Sequence, residues 1–203
     1  MKKLFLITLI LYISLFSYNV SQAIPNEKPG TYGHVVYNVQ YYESGKESMV
    51  PEAPKDMSNV HLIYKGRRPI NWYLQYPDVR YKKFWYTDGN LFTKWRVLDV
   101  DWRNNEARVV IWPAHDGPNQ DWEFIGSGNV LAYSQADGFE GVIINRMTGK
   151  MLEASSSVTN NRRNIYASTL WKGSKEQKEY SKNKNFKNLS DKSRIWKVWK
   201  LYH

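Results

Sequence analysis

Apolar residues along this chain arrive in short runs broken by Gly, Pro, Asn and Asp. Residues 34–42 (His-Val-Val-Tyr-Asn-Val-Gln-Tyr-Tyr) are β-branched and aromatic and predict a strand. The same grammar predicts strands at 59–64, 70–74, 83–86, 97–100, 109–112, 129–134, 141–145, 151–154, 165–170 and 195–201. Between them, 43–57, with Gly45, Pro51 and Pro54, predicts a loop, and 67–69, 88–90, 126–128 and 148–150 predict turns. Residues 173–192 form a polar insertion rich in Lys, Asn and Ser. No stretch of useful length repeats its apolar positions every 3.6 residues. About a dozen short strands at this spacing predict an all-β barrel or sandwich.

A longer period decides between those two. Trp72, Trp122 and Trp196 sit in similar settings: Ile70-Asn71-Trp72, Asn119-Gln120-Asp121-Trp122 and Ser193-Arg194-Ile195-Trp196. The first two Trp are 50 residues apart and the last two 74, of which the polar insertion supplies 20. The chain therefore reads as three copies of a roughly 50-residue unit.

The segment 95–124 is the best-kept copy. It has Leu98-Asp99 near its start, an apolar strand ending in Trp112-Pro113, and a closing Asn119-Gln120-Asp121-Trp122. In these features it resembles the ricin-type lectin domain, a β-trefoil. The last copy keeps the frame in Asn145 to Ala154, with Gly149-Lys150-Met151-Leu152-Glu153, and ends in Arg194-Ile195-Trp196. The first keeps only 59–62 and Ile70-Asn71-Trp72. The resemblance spans 34–203, strongest in the middle third, and implies a disulfide-free β-trefoil with repeats at 34–80, 81–126 and 127–203. With no Cys in the chain, the family's intra-repeat disulfide is missing. Val97 and Ala114 take its two positions in the middle repeat, and Met151 takes the first in the last.

In that family a carboxylate, an aromatic platform and an amide converge on a shallow sugar pocket. An ionised Asp accepts hydrogen bonds from vicinal hydroxyls, and an amide both donates and accepts. An indole face covers the apolar side of a pyranose. The resemblance assigns these roles to Asp99, Trp112 and Asn119, with Gln120 buttressing the Asp or the backbone and Trp122 in the core. From the residues alone, Trp112 is either a platform or another core aromatic; Pro113 and Gly117-Pro118 favour a strand end at the surface. Asp99 either meets sugar or caps its turn. The last repeat has Glu153 for the Asp, Ser168 near the platform and Arg194 for the Gln. The first has no clear carboxylate, with Ile63 or Tyr64 near the platform. One competent pocket is expected, binding weakly, on the order of 0.1–1 mM. Trp102, on a polar turn, is a candidate to extend it.

Composition adds boundaries. Lys2 and Lys3 precede an apolar run over 4–16, and Ser21-Gln22-Ala23 is a small-x-small site. Residues 1–23 thus read as a signal peptide cleaved after Ala23, with an uncleaved anchor as the alternative. Residues 24–33 read as a leader. Secretion is expected, and the formal charge falls from +10 to +8 once Lys2 and Lys3 leave. The absence of Cys excludes thiol nucleophiles and Cys-ligated zinc. His34, His61, His115 and His203 show no metal spacing, and His115-Asp116, beside the candidate pocket, reads as a solvated loop pair, with acid–base chemistry as the alternative. No cofactor and no enzymatic activity are expected.

Nine Trp, fifteen Tyr and seven Phe are many for this length; some belong in the core, and a surplus on the surface would suit stacking on flat ligands. The Lys-rich region 172–200 reads either as a solvated loop or as a patch for an anionic surface. Asn188-Leu189-Ser190 is a glycosylation sequon. The expectation is a secreted carbohydrate-binding protein for galactose-type sugars, alone or as the cell-binding subunit of a toxin. Its partners would be surface glycans and a toxin or enzyme subunit, not nucleic acid. The alternatives are a sugar-inactive trefoil that binds a protein, and a basic adhesin for acidic glycans or lipid head groups.

Overall fold

The computed structural model describes residues 33–41, 47–51, 55–64, 72–75, 80–87, 95–101, 103, 107–134 and 136–201. The expected signal peptide, the leader up to residue 32, the turns at 67–69 and 88–90, and Trp102 lie outside the described residues. The strands are β1 (Gly33–Asn38), β2 (Glu47–Pro51), β3 (Ser58–Tyr64), β4 (Trp72–Gln75), β5 (Tyr81–Tyr86), β6 (Arg96–Asp101), β7 (Arg108–Trp112), β8 (Trp122–Ser127), β9 (Phe139–Asn145), β10 (Lys150–Thr159), β11 (Arg162–Leu170) and β12 (Trp196–Lys200). A helix, α1 (Lys175–Asn183), lies between β11 and β12.

Six strands close a ring by antiparallel pairing: β1 with β4, β4 with β5, β5 with β8, β8 with β9, β9 with β12, and β12 back to β1. Closure leaves that ring without an open edge. The other six form the hairpins β2–β3, β6–β7 and β10–β11, which meet one another through β3–β7, β7–β11 and β11–β3. A six-strand barrel capped by three hairpins is a β-trefoil.

The three-fold relation is carried by indoles. Trp72 Nε1 donates to Met49 O at 2.8 Å, Trp122 Nε1 to Leu98 O at 3.1 Å, and Trp196 Nε1 to Leu152 O at 2.8 Å. All three rings are fully buried. Each ties a barrel strand to the first strand of a hairpin and satisfies an N–H that would be costly to bury alone. A second device recurs twice. Asn145 Nδ2 donates to Asn119 O and Asp121 O, and Asn38 Nδ2 to Ser193 O and Ile195 O. These Asn residues sit opposite Trp122 and Trp196, where Tyr86 sits opposite Trp72.

The main core runs through the barrel into the hairpins and includes Phe84, Leu98, Val100, Ile111, Ile143 and Leu152 beside the three Trp. Val97 and Met151, at the missing disulfide positions, are completely buried, and Ala114 is half-buried. Trp85 is buried, and Trp95, exposed, meets its ring edge-on. Trp199 stacks on Tyr37.

Three sequence expectations need correction. The predicted loop at 43–57 contains β2, whose five residues pair with β3 and so gain backbone partners despite the flanking Pro and Gly. The predicted strand at 129–134 is a turn: Asn129 Oδ1 accepts from Leu131 N, and Asn129 O accepts from Ala132 N. The side chain of Asn129 competes there with any ladder. The strand of this region is β8, which continues to Ser127 before the turn at Gly128 (φ 78°). Lastly, the 173–192 insertion contains α1. Ser174 Oγ accepts from Gln177 N at 3.0 Å, and Gln177 Oε1 accepts from Gly173 N at 2.7 Å. These contacts cap the helix, and Tyr180 stacks on Phe186 over a second core of Val142, Ile144, Met151 and Ile195.

Candidate functional site

β6 alternates cleanly. Leu98 and Val100 enter the main core, so Val97, Asp99 and Asp101 share the other face. β7 pairs with it in register, Val97 opposite Trp112 and Asp101 opposite Arg108. After Trp112 the chain turns through Pro113 to Gly117 into a 3₁₀ turn, Pro118–Gln120, which returns Asn119 and Gln120 to Asp99.

Asp99 is 4% exposed. Its Oδ1 accepts from Asn119 Nδ2 at 2.6 Å and its Oδ2 from Gln120 Nε2 at 2.8 Å. Gln120 is completely buried and also donates to Pro113 O at 2.9 Å, while its Oε1 accepts from His115 N at 2.9 Å. Gln120 thus holds both the carboxylate and the loop. His115 Nδ1 accepts from Gly117 N at 2.9 Å, which leaves the proton of a neutral ring on Nε2, 3.4 Å from Asp99 Oδ2.

Trp112, half-buried, lines a pocket of about 280 Å³ together with this carboxylate and Asn119. His115, Asp101, Arg103 and Met57 complete the walls, over Val100 and Val110. The volume lies at the small end of ligand sites, near the range that starts at ~300 Å³. The structure therefore brings Asp99, Trp112, Asn119 and Gln120 together, the first three on the pocket and Gln120 behind it.

Sequence reasoning missed part of the wall. His115, expected in a solvated loop, is half-buried on the pocket because its own backbone and Nδ1 are tied into the turn. Asp101 was legible in principle, since residues two apart on a strand share a face. It is buried and takes Arg103 Nε at 2.9 Å and Arg108 Nη2 at 3.0 Å. Burial pushes this carboxyl up, but the hydrogen bonds from Arg103 and Arg108 outweigh that and hold it below the usual carboxylate range. Among the described residues, no three His, Asp or Glu side chains gather as metal ligands would.

The register places the counterparts in the other repeats. Taking Met49, Leu98 and Leu152 as equivalent, the carboxylate position is Val50, Asp99 and Glu153, and the platform position is Ile63, Trp112 and Ser168. In the last repeat Arg194, at the Gln120 position, forks onto Glu153 with Nε to Oε2 at 2.9 Å and Nη2 to Oε1 at 3.0 Å. Ser168 Oγ donates to the same carboxylate. Arg194 Nη1 also reaches Glu176 Oε1 of α1 at 2.9 Å, and Glu176 is 1% exposed. Burial lowers the affinity of this guanidinium for its proton, but Glu176 and Glu153 more than reverse that. An ion-pair cluster, with the insertion packed onto it, thus stands where the middle repeat has a pocket.

No protein-family model and no curated protein matches the chain. Solved structures do. A designed 3-fold symmetric protein, ThreeFoil, superposes with a TM-score of 0.54 at 18% identity, covering 81% of this chain and 96% of its own. A mosquitocidal holotoxin gives a TM-score of 0.57 at 14% identity, covering 87% of this chain but 18% of the holotoxin chain. A water-soluble chlorophyll protein from Brassica oleracea var. Botrytis, with chlorophyll-b, gives 0.54 at 10% identity, covering 86% of this chain and 93% of its own. At such identities the likeness concerns architecture alone, and what it establishes for this chain is the β-trefoil fold.

Proposed function

We propose that this chain is a secreted, non-catalytic carbohydrate-binding protein that acts through one pocket in its middle repeat. The observation that carries the reading is the Asp99 carboxylate, set at the base of a small pocket by Asn119 and Gln120, with Trp112 as a wall. Each carboxylate oxygen has a second lone pair, so Asp99 keeps acceptor capacity for a pair of hydroxyls. Trp112 offers an indole to the C–H face of a pyranose, and Asn119 retains a carbonyl acceptor and one N–H. Galactose-type sugars are the ligand class that the resemblance to ricin-type domains favours. Nothing in this mechanism breaks a bond: the pocket binds and releases, and the affinity of a single shallow site is expected near 0.1–1 mM. Useful avidity then needs clustering or a partner subunit, such as the catalytic part of a toxin.

The test is a glycan array on the purified protein beside its Trp112→Ala variant. Wild-type signal on galactose-bearing glycans, lost in the variant with the fold intact by near-UV circular dichroism, supports the reading. Equal signal from both proteins removes Trp112 from the site, and no signal on any glycan removes the function.

A second reading rests on the other two repeats. Val50 and Ile63 in the first, and the Arg194–Glu153–Glu176 cluster in the last, leave neither with an open carboxylate beside an aromatic. A trefoil that has lost sugar sites in this way can serve a protein partner instead. Blank glycan arrays together with co-purification of a defined partner would favour it. The exposed Lys172, Lys175, Lys178, Lys182 and Lys187 motivate a basic adhesin, whose binding would vanish between low and moderate salt.

A further inference from the structure

The middle-repeat pocket has two chemically different ends. Asp99 and Asp101 lie two residues apart on one face of β6, so roughly 7 Å separates them along the strand. Around Asp99 the neighbours are neutral amides and the Nε2 of His115. Around Asp101 they are two guanidinium groups, Arg103 and Arg108. Among the described residues, that end carries the two guanidinium groups of Arg103 and Arg108 against the one Asp101 carboxylate.

Arg103 is the residue that the geometry makes useful. Its side chain is 63% exposed, while the carboxylate it grips is 2% exposed. Nε is fixed on Asp101 Oδ1 at 2.9 Å, and Nη2 rests 3.5 Å from Met57 Sδ. A guanidinium has more N–H donors than these two contacts use, and Arg103 lines the pocket. It is a cation anchored at one edge by a buried carboxylate, with its other donors left for a ligand. Planar oxyanions suit such a fork better than hydroxyls do.

We infer that Arg103 makes the pocket selective for acidic glycans: sugars whose hydroxyls sit on Asp99 and whose carboxylate or sulfate, about one ring away, is taken by Arg103. This rests on the carbohydrate-binding reading of the same pocket. Asp99 repels an anion placed at its own end, so the charge must lie at the Arg103 end, which orients the ligand. Arg108 is engaged on Asp101 across the ladder and acts as a positioning residue: it shares the Asp101 charge, which would otherwise neutralise Arg103.

The experiment compares matched galactosides in three forms, neutral, sialylated and sulfated, by titration with the purified wild type, Arg103→Gln and Arg103→Lys. Wild type is expected to bind at least one acidic form about tenfold or more tightly than the neutral one, the scale of a charge-assisted hydrogen bond. The advantage shrinks as salt rises. Arg103→Gln collapses the acidic-to-neutral ratio toward one, and Arg103→Lys, which keeps charge without the fork, restores part of it. The sialylated and sulfated arms decide which oxyanion is read. Equal affinity for neutral and acidic forms in wild type overturns the inference while leaving the carbohydrate reading in place. A preference that survives in Arg103→Gln also overturns it. Failure of every form to bind overturns both.

Discussion

Asp99 accepts from two amides and also lines the pocket, and this divides its role. Asn119 and Gln120 both donate to it, and Gln120 has no exposure to water. Replacing Asp99 with Ala therefore does more than alter the proposed sugar site: it strips a buried amide of a partner, at a cost of about 1–3 kcal/mol. Asp99→Ala is expected to lower the urea midpoint measurably while Trp112→Ala, at a half-buried strand end, lowers it less. Equal midpoints for wild type and Asp99→Ala would show that Gln120 finds another acceptor. Trp122 is a harder case. It is buried and donates to Leu98 O, so Trp122→Ala is expected to cost about 3–5 kcal/mol, read by chemical denaturation. A loss under 1 kcal/mol would deny the indole its place in the core. The roles of 99, 112, 119 and 120 were legible only through the resemblance to ricin-type domains, since the other two repeats carry different residue types at these positions. His115 was not, since a His in a Gly- and Pro-rich loop looks the same whether its ring faces water or a carboxylate.

At the scale of elements, α1 shows where pattern reading reaches its limit. Nine residues give too few turns for a periodic signal, and α1 buries little beyond Glu176 and part of Tyr180. The usable signal was the cap, Ser174 followed three residues later by Gln177, which satisfies N–H groups at the helix start. Past the helix, Asp191 accepts from Ser193 N at 3.0 Å and from Lys175 Nζ at 3.0 Å, tying the return strand to the helix start. Burial pushes the Asp191 carboxyl up, but the hydrogen bonds from Ser193 and Lys175 more than offset this and bring it from 3.8 down to about 2. A carboxyl with a lowered folded value contributes stability above its unfolded value and loses it as pH falls through the folded one. Amide protection in α1 should therefore be full above pH 3.8 and weaken toward pH 2. Asp191→Asn should already be weakened at pH 5 and change less on acidification. Hydrogen exchange along α1 reads this, and identical pH profiles in both proteins would contradict it. The glycine pair Gly126 and Gly141 acts on the same scale. They face each other in the β8–β9 ladder, and a Cβ on Gly141 would fall 2.3 Å from Ile125 O. The absence of a Cβ at both positions lets the two strands approach, and Gly126 O accepts from the Tyr180 hydroxyl of α1 at 3.1 Å.

For the molecule as a whole, the repeat is one architecture with three fates. All three copies keep the indole-to-carbonyl tie that holds barrel to hairpin. One keeps the pocket, one carries Val50 and Ile63 at its two key positions, and one is filled by Arg194 with Glu153 and Glu176. Sugar titration followed by NMR is accordingly expected to give one glycan per chain, with shifts confined to β6, β7 and the Pro118–Gln120 turn. Two or three equivalents bound would mean that the other repeats are competent after all. Removing Glu176 tests the filled copy. Arg194 is mostly buried and keeps its fork on Glu153 when Glu176 is removed, so Glu176→Ala is expected to destabilise the protein by about 1.5–3 kcal/mol, the scale of one charged hydrogen bond. Unchanged stability would show that Glu153 alone suffices for it.

What the sequence determined by itself was periodic: strands from β-branched runs and a three-fold repeat from three Trp at a spacing that survives the insertion, to which the resemblance added the trefoil and the candidate site in the middle repeat. Periodicity survives in a linear string because each residue's neighbours along the strand set its face. What the tertiary structure decided was convergence. The partners of Asp101 come from a turn and from a neighbouring strand, those of Arg194 from β10 and from the inserted helix, and those of Asp99 from a turn twenty residues on. A strand at 47–51 was likewise settled by what lay alongside it. Backbone groups and buried charges take whatever partner the fold brings within about 3 Å, and no local pattern records which one that will be.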